Sequence, residues 1–295
     1  MSHHCNSKSF KLIVSLILML LIGSIGISTF RSFYCLSINS FTYPTPLVSS
    51  PIRLCVLADL HDRSFGEGNS RLVAKVKSVK PDLIILDGDM VNHNSPNADI
   101  VCELIPKLTD ISPVYFAMGN HEIEYRDRLD HSFESKIEAA GAVILDEAYL
   151  DLEVNGNNIR LGGLYDYAFG AGPVENEAAL AKPEVKEFLK DFQNTDNLKV
   201  MMSHRPDSFI FGDASKVWDV DLVISGHLHG GQVVLPFLGG VFGGDQGYFP
   251  KYIHGMYEKD NMNIFVTSGL GSGHKPLPRF NNIPEIAVID IVNNL

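Results

Sequence analysis

The sequence predicts a mixed α/β (α+β) domain behind one N-terminal membrane helix, and three observations carry that reading. Short, β-branched apolar runs bounded by polar residues or Gly recur through the chain. Stretches with helical spacing lie between the first of these runs, the alternation expected of a sheet covered by helices. Ahead of them, Leu12–Phe30 is nineteen residues without a charge.

That apolar stretch comes first in the chain. As a helix it would span about 28 Å, close to the hydrocarbon thickness of a bilayer. An uncleaved anchor fits its length; the small-x-small run Gly26-Ile27-Ser28 leaves a cleaved signal peptide open. Lys8 and Lys11 precede the span and Arg31 follows it, a bias that puts the N-terminus in the cytoplasm and the body outside, as a single-pass membrane protein. The expected organisation is a basic stub over residues 1–11, the anchor or signal over 12–30, a Ser-, Thr- and Pro-containing linker over 31–50, and one domain over 51–295.

Within the body, Arg53–Ala58, Asp82–Asp87, Val114–Met118, Leu198–Ser203 and Asp221–Ser225 read as buried strands. Helical spacing appears at Leu72, Val73 and Val76, and again from Ile100 to Leu108. Tyr149–Val154 and Asn158–Gly163 flank Asn155-Gly156-Asn157, a hairpin turn. Gln232–Leu235, Ile264–Ser268 and Ile286–Ile291 complete the strands.

The 295 residues, 45% apolar and 20% charged, have the balance of a folded protein with ample material for a core. The net charge of −11 divides unevenly. No Asp or Glu precedes Asp59, so the first fifty residues carry +3, and the remainder has 21 basic against 35 acidic residues, or −14. An acidic body argues against a nucleic-acid partner, which needs a basic face. Four scattered cysteines make neither a disulfide framework nor a thiolate zinc site, and Cys55 reads as a small buried hydrophobe.

Each buried strand ends in a polar cluster: Asp59-Leu60-His61, Gly88-Asp89, Gly119-Asn120-His121-Glu122, His204, and Gly226-His227-Leu228-His229. Ligands of open α/β sheets bind beyond the carboxyl ends of strands, so five clusters converge on one rim. Singly they are common patterns. Together they supply oxygen and imidazole donors suited to divalent metals, Asp59 and His61 from one side of an extended chain end and Asp89 from the centre. Such a set fits two ions about 3.5–4 Å apart, a geometry used for in-line attack on phosphorus.

The set D-x-H, GD, GNH[DE], lone His and GHxH, with twenty-six residues between His61 and Gly88 and again between Asn92 and Gly119, resembles the calcineurin-like metallophosphoesterase superfamily. His204-Arg205-Pro206, the run Ser225–Gln232, Ser268-Gly269-Leu270-Gly271 and Pro284-Glu285 are similar to a bacterial membrane-anchored phosphodiesterase subgroup related to UDP-2,3-diacylglucosamine hydrolases. The resemblance implies a four-layer α/β/β/α sandwich and two divalent ions, with Mn²⁺, Fe, Zn²⁺ and Co²⁺ all admitted by the ligand set. It implies one ion on Asp59, His61, Asp89 and His229, a second on Asp89, Asn120, His204 and His227, and a hydroxide bridging them. It also implies that His121 faces the substrate as the catalytic residue. Asn92, where many members have Asp, is a departure at a position that is not a ligand.

The function so implied is a phosphohydrolase acting on a phosphoester, lipid-linked if the anchor holds it at a membrane. A UDP-2,3-diacylglucosamine-type pyrophosphate hydrolase and a cyclic-nucleotide phosphodiesterase remain alternatives. A non-catalytic scaffold ranks last, because every ligand position is intact. Outside the motifs, Lys275, Arg279 and Arg205 are candidates for substrate phosphate, with His274 in the same Gly-rich loop as Lys275. Asp87 and Glu122 are candidates to orient imidazoles. Asp62 reads as a solvated loop charge, and His93, His131 and His254 as surface or structural histidines.

Overall fold

In a computed structural model the described residues are 3–164, 169, 177–272 and 278–294. The chain begins with α1 (His3–Tyr34), β1 (Ser37–Pro44) and β2 (Ile52–Leu57). Next come α2 (Ser70–Val79), β3 (Leu83–Asp87), α3 (Asp99–Thr109) and β4 (Val114–Ala117). Then follow α4 (Asn120–Arg128), α5 (Phe133–Ala139), β5 (Val143–Ile144), β6 (Ala148–Val154) and β7 (Asn157–Gly163). The second half has α6 (Pro183–Phe192), β8 (Leu198–Met202), α7 (Asp207–Ile210), α8 (Ala214–Val217) and β9 (Leu222–Ser225). It closes with β10 (Val234–Leu235), β11 (Gly239–Gly240), β12 (Gly255–Lys259), β13 (Met262–Val266) and β14 (Glu285–Val292).

Two six-stranded sheets result, ordered β1-β14-β2-β3-β4-β5 and β12-β13-β9-β8-β7-β6. In the first, β2 to β5 run parallel, and β14 returns from the far end of the chain to lie antiparallel to β2. In the second, β7, β8, β9 and β13 are parallel, with β6 and β12 antiparallel at the edges. The expected hairpin joins β6 to β7; Asn155 and Gly156 both have positive φ, as its tight turn requires.

Strand residues alternate between two apolar layers because successive side chains point to opposite faces. Leu54, Val56, Leu83 and Ile85 meet Leu198, Val200, Leu222 and Ile224 between the sheets. Cys55, Leu57, Ile84 and Leu86 face outward onto Leu72 and Val76 of α2 and Val101, Leu104 and Leu108 of α3. Met201, Val223 and Ile264 face the other way onto Val185, Leu189 and Phe192 of α6. Three apolar layers separate four structural ones, the α/β/β/α sandwich expected.

The segment 31–50 is not a linker. Residues 31–34 continue α1, and Ser37–Pro44 form β1, paired in parallel with β14 over its whole length from Ser37↔Glu285 to Pro44↔Val292. Leu36, Tyr43 and Val48 are buried in the cores. The strand was hidden because its partner is some 250 residues away and its own sequence carries Pro44, Ser37, Ser40 and Thr42. Likewise the strand expected at Gln232–Leu235 shrinks to the two residues of β10, which pairs with β11, with Val233 bridged to Phe280.

Helix α1 is longer than the apolar stretch it contains, and Ser9–Tyr34 is long and apolar enough to cross a membrane. Its last turn docks on the domain. Arg63 donates to the Phe33 carbonyl and Arg71 to that of Tyr34 (3.3 Å), so cations meet the negative end of the helix. Buried Ser32 accepts a bond from Asn282 N (3.1 Å).

Candidate metal centre

The predicted residues come together at one end of the sandwich. Asp59 and His61 follow β2, Asp89 follows β3, and Asn120 and His121 open α4 after β4. His204 follows β8, and His227 and His229 follow β9 in the other sheet. The loops are tied to one another: Asp59 N donates to Gly88 O and His61 N to Asp89 O (both 3.0 Å), while His227 N bridges the sheets to the Asp59 carboxylate (3.1 and 3.2 Å).

Asp59 and His61 do not lie on an extended chain end. Five candidate ligands, Asp59, His61, Asp89, His227 and His229, have φ between 47° and 67°, the left-handed region that L side chains seldom occupy. Such strain costs of order 1–3 kcal/mol per residue and persists where the surroundings impose it. It turns successive side chains toward one point. Glycines keep that point open: a Cβ at Gly119 would sit 2.5 Å from Asp89 Oδ1, and one at Gly269 2.5 Å from Asp59 Oδ2.

Asp89 is central. Its Oδ1 accepts the His121 backbone N–H (2.9 Å), and its Oδ2 lies 3.2 Å from His204 Nε2, 3.6 Å from His61 Nε2 and 3.8 Å from His121 Nε2. Asp59 Oδ1 lies 3.6 Å from His229 Nε2. Three sets have their ligand atoms within 4.8 Å of one another: Asp59, His61 and His229; Asp89, His204 and His227; and His61, Asp89 and His121. Burial by itself would push the Asp89 carboxyl up, but the rings of His204, His61 and His121 hold it well below its ordinary value. Burial likewise disfavours a charged His204, yet Asp89, Asp59 and Asp87 hold it well above its ordinary value.

The histidines differ in what their other nitrogen does. His61 Nδ1 faces Asn92 Oδ1 (3.0 Å), His204 Nδ1 the Asp87 carbonyl (2.6 Å) and His229 Nδ1 the Gly271 carbonyl (3.3 Å). Those oxygens need a proton on Nδ1, so in the neutral ring the lone pair lies on the inward-facing Nε2, the tautomer a metal requires. His121 is reversed. Its Nδ1 accepts the His93 backbone N–H (3.0 Å), so in the neutral ring the proton sits on Nε2.

Residues 52–231 match the family described as calcineurin-like phosphoesterase. The chain belongs to that family. It is 27% identical over 244 residues to an uncharacterised metallophosphoesterase of Campylobacter jejuni, covering 79% of this chain and 58% of that protein, so it spans less than two thirds of that relative. It is 28% identical over 243 residues to the uncharacterised metallophosphoesterase YkuE of Bacillus subtilis (79% of this chain and 76% of that protein covered). It is 26% identical over 249 residues to the phosphodiesterase YaeI of Escherichia coli (83% of each). Among solved structures it is similar to a dimetal phosphatase from Danio rerio, at 12% identity and a TM-score of 0.42 over 76% of this chain and 88% of that one.

The donor set of this calcineurin-like phosphoesterase suits divalent metal. Carboxylate oxygens and imidazole nitrogens converge within 4.8 Å of one another, and Asn120 Oδ1 is buried with no hydrogen-bond partner, an arrangement a cation resolves. Around that core several expectations change. Glu122 touches no imidazole; its carboxylate accepts the backbone N–H groups of Gly119 (2.9 Å), Asp89 (2.7 Å), Met90 (2.6 Å) and Val91 (3.1 Å), and so shapes the GD loop. Asp87 orients His204 through its main-chain carbonyl, while its side chain is buried and pushed up to about 8, chiefly by that burial. Asp62 is not a solvated charge. It accepts from Asn92 Nδ2 (2.7 Å) and from Ser95 Oγ, and so steadies the residue that orients His61.

Arg279 does not face a substrate. It is buried, donates to Gly271 O (2.8 Å), Asn282 Oδ1 (3.1 Å) and Ser268 O, and braces the loop behind Asp59 and His229; burial pushes it down to about 10. Arg205 is buried as well. His274 and Lys275 lie outside the described residues. His131 is exposed and His254 pairs with Glu285. Sequence reasoning missed His93, whose contact with His121 runs through a backbone N–H that any residue but Pro carries, so no motif marks it.

Proposed function

We propose that the protein is a dinuclear metal-dependent phosphohydrolase that cleaves phosphoesters at a membrane surface. Asp59, His61, Asp89 and His229 would hold one divalent ion and Asp89, Asn120, His204 and His227 the other, with Asp89 shared. The observation that carries this reading is the contrast in what meets Nδ1: in their neutral forms the His61, His204 and His229 rings offer lone pairs on Nε2, and the His121 ring offers a proton. Bound divalent ions supply Lewis acidity, lowering the pKa of water toward about 7 and offsetting phosphoryl charge. His121 Nε2–H, 3.8 Å from Asp89 Oδ2, stands at the edge of that centre to donate to a phosphoryl or leaving-group oxygen. Glu122 and the strained loops hold the ligands preorganised.

Membrane attachment through α1, with the body outside as Lys8 and Lys11 suggest, is supported by where the helix ends. Ser32 bonds Asn282, and Asn282 Nδ2 donates to the His229 carbonyl (2.6 Å). The anchor thus stops one residue away from the metal loop, which favours substrates whose phosphate lies in or near the lipid headgroups.

The test is hydrolysis of bis-p-nitrophenyl phosphate by the full chain in mild detergent, stripped by chelator and reloaded with Mn²⁺, Fe²⁺, Zn²⁺ or Co²⁺. Activity should vanish on stripping and return with metal. Asp89→Asn should lose both activity and bound metal. His121→Ala should keep metal and lose about 10²–10⁴ in kcat. A wild-type protein inert with every metal defeats the reading, and a fully active His121→Ala defeats the role of that residue.

A further inference from the structure

The stretch after the GHxH loop is the part of the domain that the metal centre does not explain. Residues 230–244 contain no Asp, Glu, Lys or Arg. β10 and β11 pair Val234 with Gly240 and Leu235 with Gly239, which puts Pro236, Phe237 and Leu238 at a hairpin tip. Phe237 is fully exposed, and Leu238, Tyr248 and Phe249 are each more than half exposed. They form one lobe: Phe249 N donates to Val241 O (2.9 Å), and the Phe242 and Tyr248 rings lie 5.5 Å apart. Four bulky apolar side chains held in water on one lobe mark a contact surface.

Position identifies the occupant. The lobe and α1 together line a cavity of about 800 Å³, with Ser24, Ile27 and Arg31 on one wall and Val234, Gly239 and Gly240 on the other. The same part of α1 exposes Ile25, Ile27 and Phe30. The tip is therefore continuous with the apolar surface of the helix, while Arg31 on the cavity wall lies where a cation can reach headgroup phosphates. At its other end the lobe borders the metal centre: a Cβ on Gly244 would lie 3.5 Å from His227 Nε2, and Val241 N donates to Gly231 O (3.2 Å).

We propose that residues 232–250 are an interfacial membrane-contacting element, whose tip (Phe237 and Leu238, with Tyr248 and Phe249) seats in the lipid surface beside α1 and sets how the metal centre faces the headgroups. This rests on the reading of α1 as a membrane anchor. Insertion of such a tip reaches about 5–10 Å into the headgroup–acyl boundary.

The chain has one tryptophan, Trp218, buried in the outer core beside α6, which serves as an internal control. Phe237→Trp, at a fully exposed position, is made in the full chain together with Trp218→Phe, reconstituted in phosphatidylcholine–phosphatidylglycerol vesicles and compared with wild type. Flotation is measured first. Emission of Trp at 237 should be blue-shifted and most of it quenched by brominated lipid, while Trp218 in the wild type is unaffected. A chain that does not float overturns the anchor reading and this inference with it. A chain that floats with unquenched, red-shifted emission at 237 overturns the inference alone. Blue-shifted emission without quenching assigns the tip to a second protein copy, and also overturns it.

Discussion

His121 and His204 are the same side chain with opposite proposed tasks, and one main-chain atom apiece makes the difference. In the neutral ring, a carbonyl on Nδ1 leaves His204 its lone pair on Nε2, and an N–H on Nδ1 leaves His121 its proton on Nε2. The ligand residue types were legible in the motifs, but this division was not, because it depends on backbone atoms at residues 87 and 93 that folding brings in. His254 and Glu285 show the same limit. Burial disfavours both charges, yet their 2.6 Å contact, with Thr267 and Asn39 also donating to the carboxylate, raises the histidine above 6.5 and holds the glutamate below 4.5. The histidine's contribution to stability is complete below pH 6.5 and fades as pH rises through its elevated value. That of the glutamate is complete above pH 4.5 and fades as pH falls through its depressed value. In urea unfolding, His254→Gln should therefore lower stability most between pH 4.5 and 6.5, with the gap from wild type narrowing on both sides. A gap independent of pH would contradict the pairing.

At the scale of elements, β2, β3, β4, β8 and β9 could be read from sequence because they are buried on both faces and so appear as unbroken apolar runs. β1 could not. It is an edge strand, mostly half-buried, with polar residues on its open side. A chain cut at residue 51, where the sequence placed the domain boundary, would strip the edge of β14 and remove Leu36, Tyr43 and Val48 from the cores. At about 1.5–3 kcal/mol for each large apolar side chain, the loss approaches the whole stability of an ordinary domain. A chain starting at residue 36 should be soluble and cooperative in thermal melts, whereas one starting at 51 should aggregate or melt far lower. Equal melting temperatures would show that β1 is dispensable.

On the scale of the whole molecule, four candidate ligands (Asp59, His61, Asp89, Asn120) follow strands of one sheet and three (His204, His227, His229) strands of the other, so metal would bind only where the sandwich is assembled. Ligation should then stabilise the fold by about 2.7 kcal/mol per site at a hundredfold excess over Kd. For a domain of this size that corresponds to a rise in Tm of roughly 5–11 °C per site. Differential scanning fluorimetry with and without Mn²⁺ after chelation reads this directly, and Asp89→Asn should abolish the rise. The body's charge of −14 is compatible with a phosphate substrate on the same ground, because dications at one rim set the local field that the substrate meets.

By itself the sequence determined the fold class, the apolar helix and the residue types at the candidate metal centre. Each of these is written locally, in a hydrophobic period, a length without charge, or a motif at a strand end. Only the tertiary structure decided that residues 37–44 are a strand, that Arg279 braces a loop instead of facing a phosphate, that neutral His121 carries its proton on Nε2, and that the 232–250 lobe shares a cavity with α1. These depend on atoms far apart in the chain, and above all on backbone donors and acceptors that every residue type shares. No pattern of side chains announces where those will meet.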